Sequence, residues 1–150
     1  MHGDIKPENI LITSYNHIFI ADQAPYKPSY FKEDDLKTYK MYFGENDNNQ
    51  RCYVAPERFS KTDDQRDPKF LSQAMDIFSL GCVIAEIFLG HRLFDLAMLQ
   101  NYRKGLINLN DLIKSQNPED KEAIDLIKNM LELDPSQRLP ILTLIRKWDE

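Results

Sequence analysis

His2-Gly3-Asp4-Ile5-Lys6-Pro7-Glu8-Asn9 sets a carboxylate, a cation and an amide within six positions, Asp4 to Asn9, and leads straight into an apolar run. Taken bare, such a stretch is a polar turn before a strand. Its neighbours on the C-terminal side give it more weight. Asn9-Ile10-Leu11-Ile12-Thr13 and His17-Ile18-Phe19-Ile20-Ala21 are two short apolar runs with Ser14-Tyr15-Asn16 between them, which predicts a β-hairpin. From Asp22 to about Arg51 no periodicity is evident. Pro25, Pro28 and the polar residues Gly44 to Gln50 predict a long surface loop, a feature that is usually functional or disordered in a compact domain.

Helices are expected after that. Ala74 to Leu89 is apolar on nearly every face, with Ile77, Phe78, Leu80, Val83, Ile84, Ile87 and Phe88, so it reads as a helix buried in the middle of a domain and stopped at Gly90. A short helix is expected from Leu96 to Lys104, ending at Gly105. Pro118-Glu119-Asp120 opens an amphipathic helix to about Leu133, with Ile124, Ile127 and Leu131 on one face. Pro140 suits the first turn of a last helix ending near Trp148. No repeat or low-complexity segment interrupts the chain.

The bulk numbers bound the function. A chain of 150 residues, 42% hydrophobic and 29% charged, has the size and balance of one ordinary globular domain. Its net charge of −5 argues against nucleic acid or an anionic membrane as the main partner. No apolar run is long enough to span a membrane. Met1-His2-Gly3-Asp4 has neither the regions of a signal peptide nor the Met-Gly start of a myristoylation site. Cys52 and Cys82 lack zinc spacing and form no disulfide framework, so two reduced cytoplasmic thiols are expected.

Four motifs in order carry a resemblance. His2 to Asn9 is similar to the catalytic loop H-R-D-L-x-x-x-N of protein kinases. The resemblance makes Asp4 the carboxylate that accepts the proton of the substrate hydroxyl. It makes Asn9 a Mg²⁺ ligand and Lys6 the cation that faces the transferred phosphoryl group. Asp22, directly after the hairpin, stands where kinases have the Asp of D-F-G, a second Mg²⁺ ligand; Gln23 and Ala24 replace the Phe and Gly. Tyr53-Val54-Ala55-Pro56-Glu57-Arg58 resembles the A-P-E segment, and Asp134-Pro135-Ser136-Gln137-Arg138-Leu139 resembles the segment that supplies its arginine. That implies a structural Glu57–Arg138 pair. Asp76-Ile77-Phe78-Ser79-Leu80-Gly81 resembles the helix start whose Asp holds the catalytic loop by backbone hydrogen bonds. Taken singly, Asp22 would be a turn residue and Asp76 an acidic helix start; their order favours the family.

The fold implied is α+β and mainly helical: the C-terminal lobe of the protein-kinase-like fold, with a small β-hairpin at the catalytic loop. Residues 1–150 are read as a partial kinase domain. The wording of Arg51 to Phe59, Ala74 to Ser79, Leu93 to Leu96 and Ala24 to Tyr30 looks most like one branch, the vacuolar protein sorting serine/threonine kinases. These are regulatory subunits of class III phosphatidylinositol 3-kinase complexes. The resemblance implies Mg²⁺ and ATP, a lipid kinase catalytic subunit and its complex partners, and an endosomal or autophagic setting. Helical repeats and a propeller are expected after the kinase domain.

Departures from the family give further expectations. Gly3 replaces an Arg that grips a phosphorylated activation loop in many kinases, so phosphorylation at Ser29 or Thr38 is not expected to switch activity on. No Gly-rich loop or V-A-I-K lysine strand is present. The 150 residues would then hold half a nucleotide pocket, transfer no phosphate by themselves, expose apolar surface, and represent a truncation. Two functions compete for the intact parent: transfer of the ATP γ-phosphate to Ser or Thr, and a pseudokinase-like scaffold that holds a lipid kinase with little or no phosphotransfer. An unrelated helical interaction domain is the third reading.

Overall fold

The structure is a computed structural model that describes residues 1–23, 27–33, 35–44, 51–60, 72–114 and 120–149. About half of it is helical, with a two-stranded antiparallel sheet near its start. β1 (Ile10–Ile12) pairs with β2 (Ile18–Ile20) in the register Ile10↔Ile20, Leu11↔Phe19, Ile12↔Ile18. The Thr13 amide donates to the His17 carbonyl at 2.9 Å, and Asn16 turns the chain with φ +59, a conformation Asn tolerates better than most residues. Leu11, Ile12, Ile18, Phe19 and Ile20 are all exposed, Ile12 at 70%. The hairpin therefore shows an apolar surface.

The segment after it is not a plain loop. β3 (Phe31–Lys32) runs parallel to β4 (Phe59–Ser60), and α1 (Leu36–Phe43) lies between them in sequence. The helix starts because Asp35 accepts hydrogen bonds from the Thr38 amide at 3.0 Å and the Thr38 hydroxyl at 2.5 Å, satisfying a donor that the first turn leaves open. Tyr39 and Phe43, four residues apart on one face, are buried against Phe31 and Phe59. Two buried aromatic side chains one turn apart are too few for a helical period to show in sequence. Residues 24–26, 34 and 45–50 of the expected loop, Ala24 and Pro25 among them, lie outside the described residues.

α2 (Gln73–Leu89) is the spine of the molecule. Gly90 ends it in the left-handed conformation, φ +73, donating to the Glu86 carbonyl at 2.8 Å. Phe78 and Cys82 are fully enclosed, and Phe78, Phe94 and Tyr102 stack in sequence with centroids 6.3 and 5.4 Å apart. Burial is not all-round, however: Ile87 is 76% exposed at the C-terminal end. α3 (Leu96–Arg103) is capped by Asp95 on the Met98 amide at 2.8 Å. A one-turn helix, α4 (Leu109–Leu112), was not evident from the sequence.

α5 (Lys121–Met130) buries Ile124, Ile127 and Met130. Pro118 and Glu119, expected to open it, lie outside the described residues. It stops about three residues short of Leu133. The Leu131 amide shares the Ile127 and Lys128 carbonyls, both at 3.1 Å, and Pro135 disfavours helical backbone in the residue before it. α6 (Ile141–Asp149) follows Pro140 directly.

α2 and α5 approach closely at Gly81, where an added Cβ would stand 2.8 Å from Met130 Cβ. Gly81→Ala should therefore force the helices apart and cost about 1–3 kcal/mol. A urea midpoint equal to that of the wild type would refute this. Cys52 and Cys82 are free and buried; burial pushes the Cys52 thiol up to about 12 and the Cys82 thiol well above its usual value. Among the described residues no helix is long and apolar enough to cross a membrane.

Candidate active site

The loop before β1 is held from below by α2. Asp76 accepts from the His2 amide at 2.6 Å and from the Gly3 amide at 2.9 Å, two charge-assisted bonds of the stronger kind. Gly3 has φ +85, a conformation costly for a residue with a Cβ. The glycine thus has a backbone reason of its own, apart from any lost grip on phosphate. The His2 ring lies 3.0 Å from the Ala21 carbonyl. The Ala21 amide in turn donates to the Asn9 carbonyl at 2.8 Å. These two bonds bring the residue before Asp22 onto the loop that carries Asp4 and Asn9.

Pro7–Asn9 form a 3₁₀ turn, closed by the Asn9 amide on the Lys6 carbonyl at 3.0 Å. Asp4 and Asn9 are buried. Asn9 Nδ2 donates to the Asp4 carbonyl at 2.8 Å and to Asp4 Oδ2 at 3.2 Å. Both partners are acceptors, so the amide must turn its NH₂ toward them, which leaves Asn9 Oδ1 for a cation. Asp22 is exposed and takes φ +57. Lys6 is half-buried in extended backbone at the start of the turn.

A cation already faces Asp4. Lys27 Nζ lies 2.5 Å from Asp4 Oδ2, and 5.0 Å from the centre of the Phe43 ring. Lys27 was read only as part of the family-like stretch Ala24 to Tyr30, with no role of its own. Arg58 was legible only as the end of a motif. It is 3% exposed and donates to three carbonyls: Ser29 at 2.9 Å, Pro28 at 2.7 Å and Gly3 at 2.7 Å. Burial lowers its pKa, against the fields of Asp4 and Asp76. Arg51 joins the Glu8 carboxylate to Glu86 on α2, and Tyr53 donates its hydroxyl to Glu86 at 2.5 Å. The hydrogen bonds from Arg51 hold the Glu86 carboxyl below the usual range.

Glu57 and Arg138 form a cluster of their own. Arg138 forks onto the two Glu57 oxygens at 2.7 and 2.8 Å, and also donates to the Ala74 and Glu132 carbonyls at 2.8 and 2.7 Å. Neither residue touches Asp4. A cavity of about 730 Å³ borders Glu57 and Asp134, with none of Asp4, Lys6, Asn9 or Asp22 in its wall.

The family model described as the protein kinase domain matches residues 1–148. The chain belongs to the protein kinase domain family. Among curated relatives, it is 42% identical to the probable serine/threonine-protein kinase vps15 of Dictyostelium discoideum over 99% of its length. It is 44% identical over 98% to serine/threonine-protein kinase vps15 of Schizosaccharomyces pombe. Identity to the VPS15 kinase of Arabidopsis thaliana is 42% over 92%. The kinase-domain chain spans only 8%, 8% and 9% of these relatives.

Protein kinases use Mg²⁺ and ATP. Asn9 and Asp22 fit the metal's part: one amide oxygen left open and one exposed carboxylate. No group of three His, Cys, Asp or Glu side chains among the described residues could hold a metal by itself. Bound at Asn9 and Asp22, the metal would neutralise phosphate charge. In this chain Asp4 and Asn9 are both buried and joined by the two hydrogen bonds from Asn9 Nδ2.

Proposed function

We propose that this chain is the C-terminal lobe of a serine/threonine protein kinase domain, and that residues 1–150 are a partial domain. The intact parent is a regulatory subunit of a class III phosphatidylinositol 3-kinase complex working in endosomal sorting and autophagy at those membranes. It transfers the γ-phosphate of Mg-ATP to Ser or Thr. The observation that carries this reading is the buried Asp4–Asn9 pair on a loop anchored by Asp76. In this reading Asp4 is the proton acceptor and Asn9 a metal ligand, and Lys6 and Asp22 are assigned to the polar half of the same site.

One observation favours a second reading, the scaffold. One oxygen of the Asp4 carboxylate, Oδ2, is engaged by Lys27. A kinase fold with an engaged base can still hold a lipid kinase in place while transferring little phosphate.

The test is an assay of the full-length protein with its complex partners, using γ-labelled ATP and a generic Ser/Thr substrate. Mg²⁺-dependent label on Ser or Thr is the expected result. No label, with the lipid kinase still bound and active, would leave the scaffold.

A further inference from the structure

Asp4 has to accept a hydrogen bond from the incoming hydroxyl, which means a donor oxygen about 2.6–3.2 Å from its carboxylate. In this structure Lys27 Nζ stands within that reach of Oδ2, and Asn9 Nδ2 takes the same oxygen. The two side chains of the ion pair are 8% and 5% exposed, so the pair is screened weakly compared with a surface pair. The ammonium is also placed against the face of Phe43 from α1, a favourable position for a cation.

The backbone that carries Lys27 is pinned. Arg58 donates to the carbonyls of Pro28 and Ser29 on the segment, and to the Gly3 carbonyl one residue before Asp4. One buried guanidinium thus fixes the segment and the catalytic loop relative to each other. Its own position is set by the rings of Phe31 and Phe43, 5.5 and 5.1 Å away. Lys27 is therefore delivered to Asp4 by a built connection rather than by a loose side chain.

We propose that residues 27–29 form an autoinhibitory strap, pinned by Arg58, in which Lys27 engages the proton-accepting carboxylate of Asp4 and holds phosphotransfer down. The strap rests on the kinase reading above and concerns the regulation of that same site. Lys27 must leave Asp4 before a substrate hydroxyl can take its place. Arg58 acts through the strap and touches no reacting atom, so it is a positioning residue.

The test uses the full-length protein with its partners. Lys27→Met keeps an unbranched side chain one atom shorter and removes the ammonium. Transfer of the γ-phosphate to a generic Ser/Thr substrate should rise by about tenfold or more, a part of what a working base contributes. The rise should vanish in Lys27→Met/Asp4→Asn. An active wild type with equal or lower transfer in Lys27→Met overturns the strap and leaves the kinase reading standing. No transfer from either protein overturns the strap and the kinase reading together. A second measurement does not depend on activity. Reductive methylation mapped by mass spectrometry should label Lys27 more slowly than the exposed Lys147, and faster after Asp4→Asn. Equal labelling of Lys27 and Lys147 in the wild type would show the ion pair absent and the proposal wrong.

Discussion

Arg138→Ala should destabilise the domain by about 3–5 kcal/mol, the usual cost of removing one partner of a buried pair. The Arg138 side chain is wholly enclosed and Glu57 is 16% exposed. The substitution leaves the Glu57 carboxylate without its forked partner, and strips the Ala74 and Glu132 carbonyls of a charged donor. It also removes the guanidinium 5.1 Å from the centre of Phe78. Three stretches lose their common tie: the 3₁₀ turn Pro56–Arg58, the first turn of α2, and the chain after α5. Against a typical stability of about 5–15 kcal/mol, the loss would leave much of the population unfolded at modest urea. Glu57→Gln keeps an acceptor and should cost less. Urea unfolding of both variants checks the claim, and a loss under about 1 kcal/mol for Arg138→Ala, the worth of a surface pair, would show the pair to be unimportant.

The sequence carried the parts of this molecule whose residues sit close together or repeat with a clear period. The hairpin was legible because two apolar runs flank a short polar turn, and α2 because its apolar residues are dense and Gly90 comes next. The loop residues Asp4, Lys6 and Asn9 were legible because six consecutive positions hold all three. α1 was not, since its helical signal is one Asp35–Thr38 cap and two aromatic residues. Its real stabilisation comes from Phe31, just before the helix, and Phe59, well beyond its end. Lys27 was hidden for the same reason. Nothing near it in sequence says that Arg58, thirty-one residues on, will fix its backbone beside Asp4. Ile87 shows the opposite error. Its apolar character was read as burial, but the last turn of α2 reaches the surface and leaves it exposed.

The largest kinetic effect is expected at Asp4. In the full-length protein, Asp4→Asn should lower γ-phosphate transfer by about 10²–10⁴-fold, the range in which a positioned base contributes. The amide keeps the shape of the carboxylate and an oxygen that can accept from Asn9 Nδ2, but it cannot take the substrate's proton. Stability alone would not separate this from the loss of an ion pair, because Asp4→Asn and Lys27→Met both break the contact between Asp4 and Lys27. Both should therefore lower the urea midpoint. Lys27 can turn its ammonium toward water once its partner is neutral, so the cost should be smaller than at Arg138. The rates must part company: transfer falls in Asp4→Asn and rises in Lys27→Met. A pair that served only to hold the loop would lower both rates together. That outcome would overturn the strap and leave the kinase reading standing, with Asp4's part in it judged by the size of the loss in Asp4→Asn.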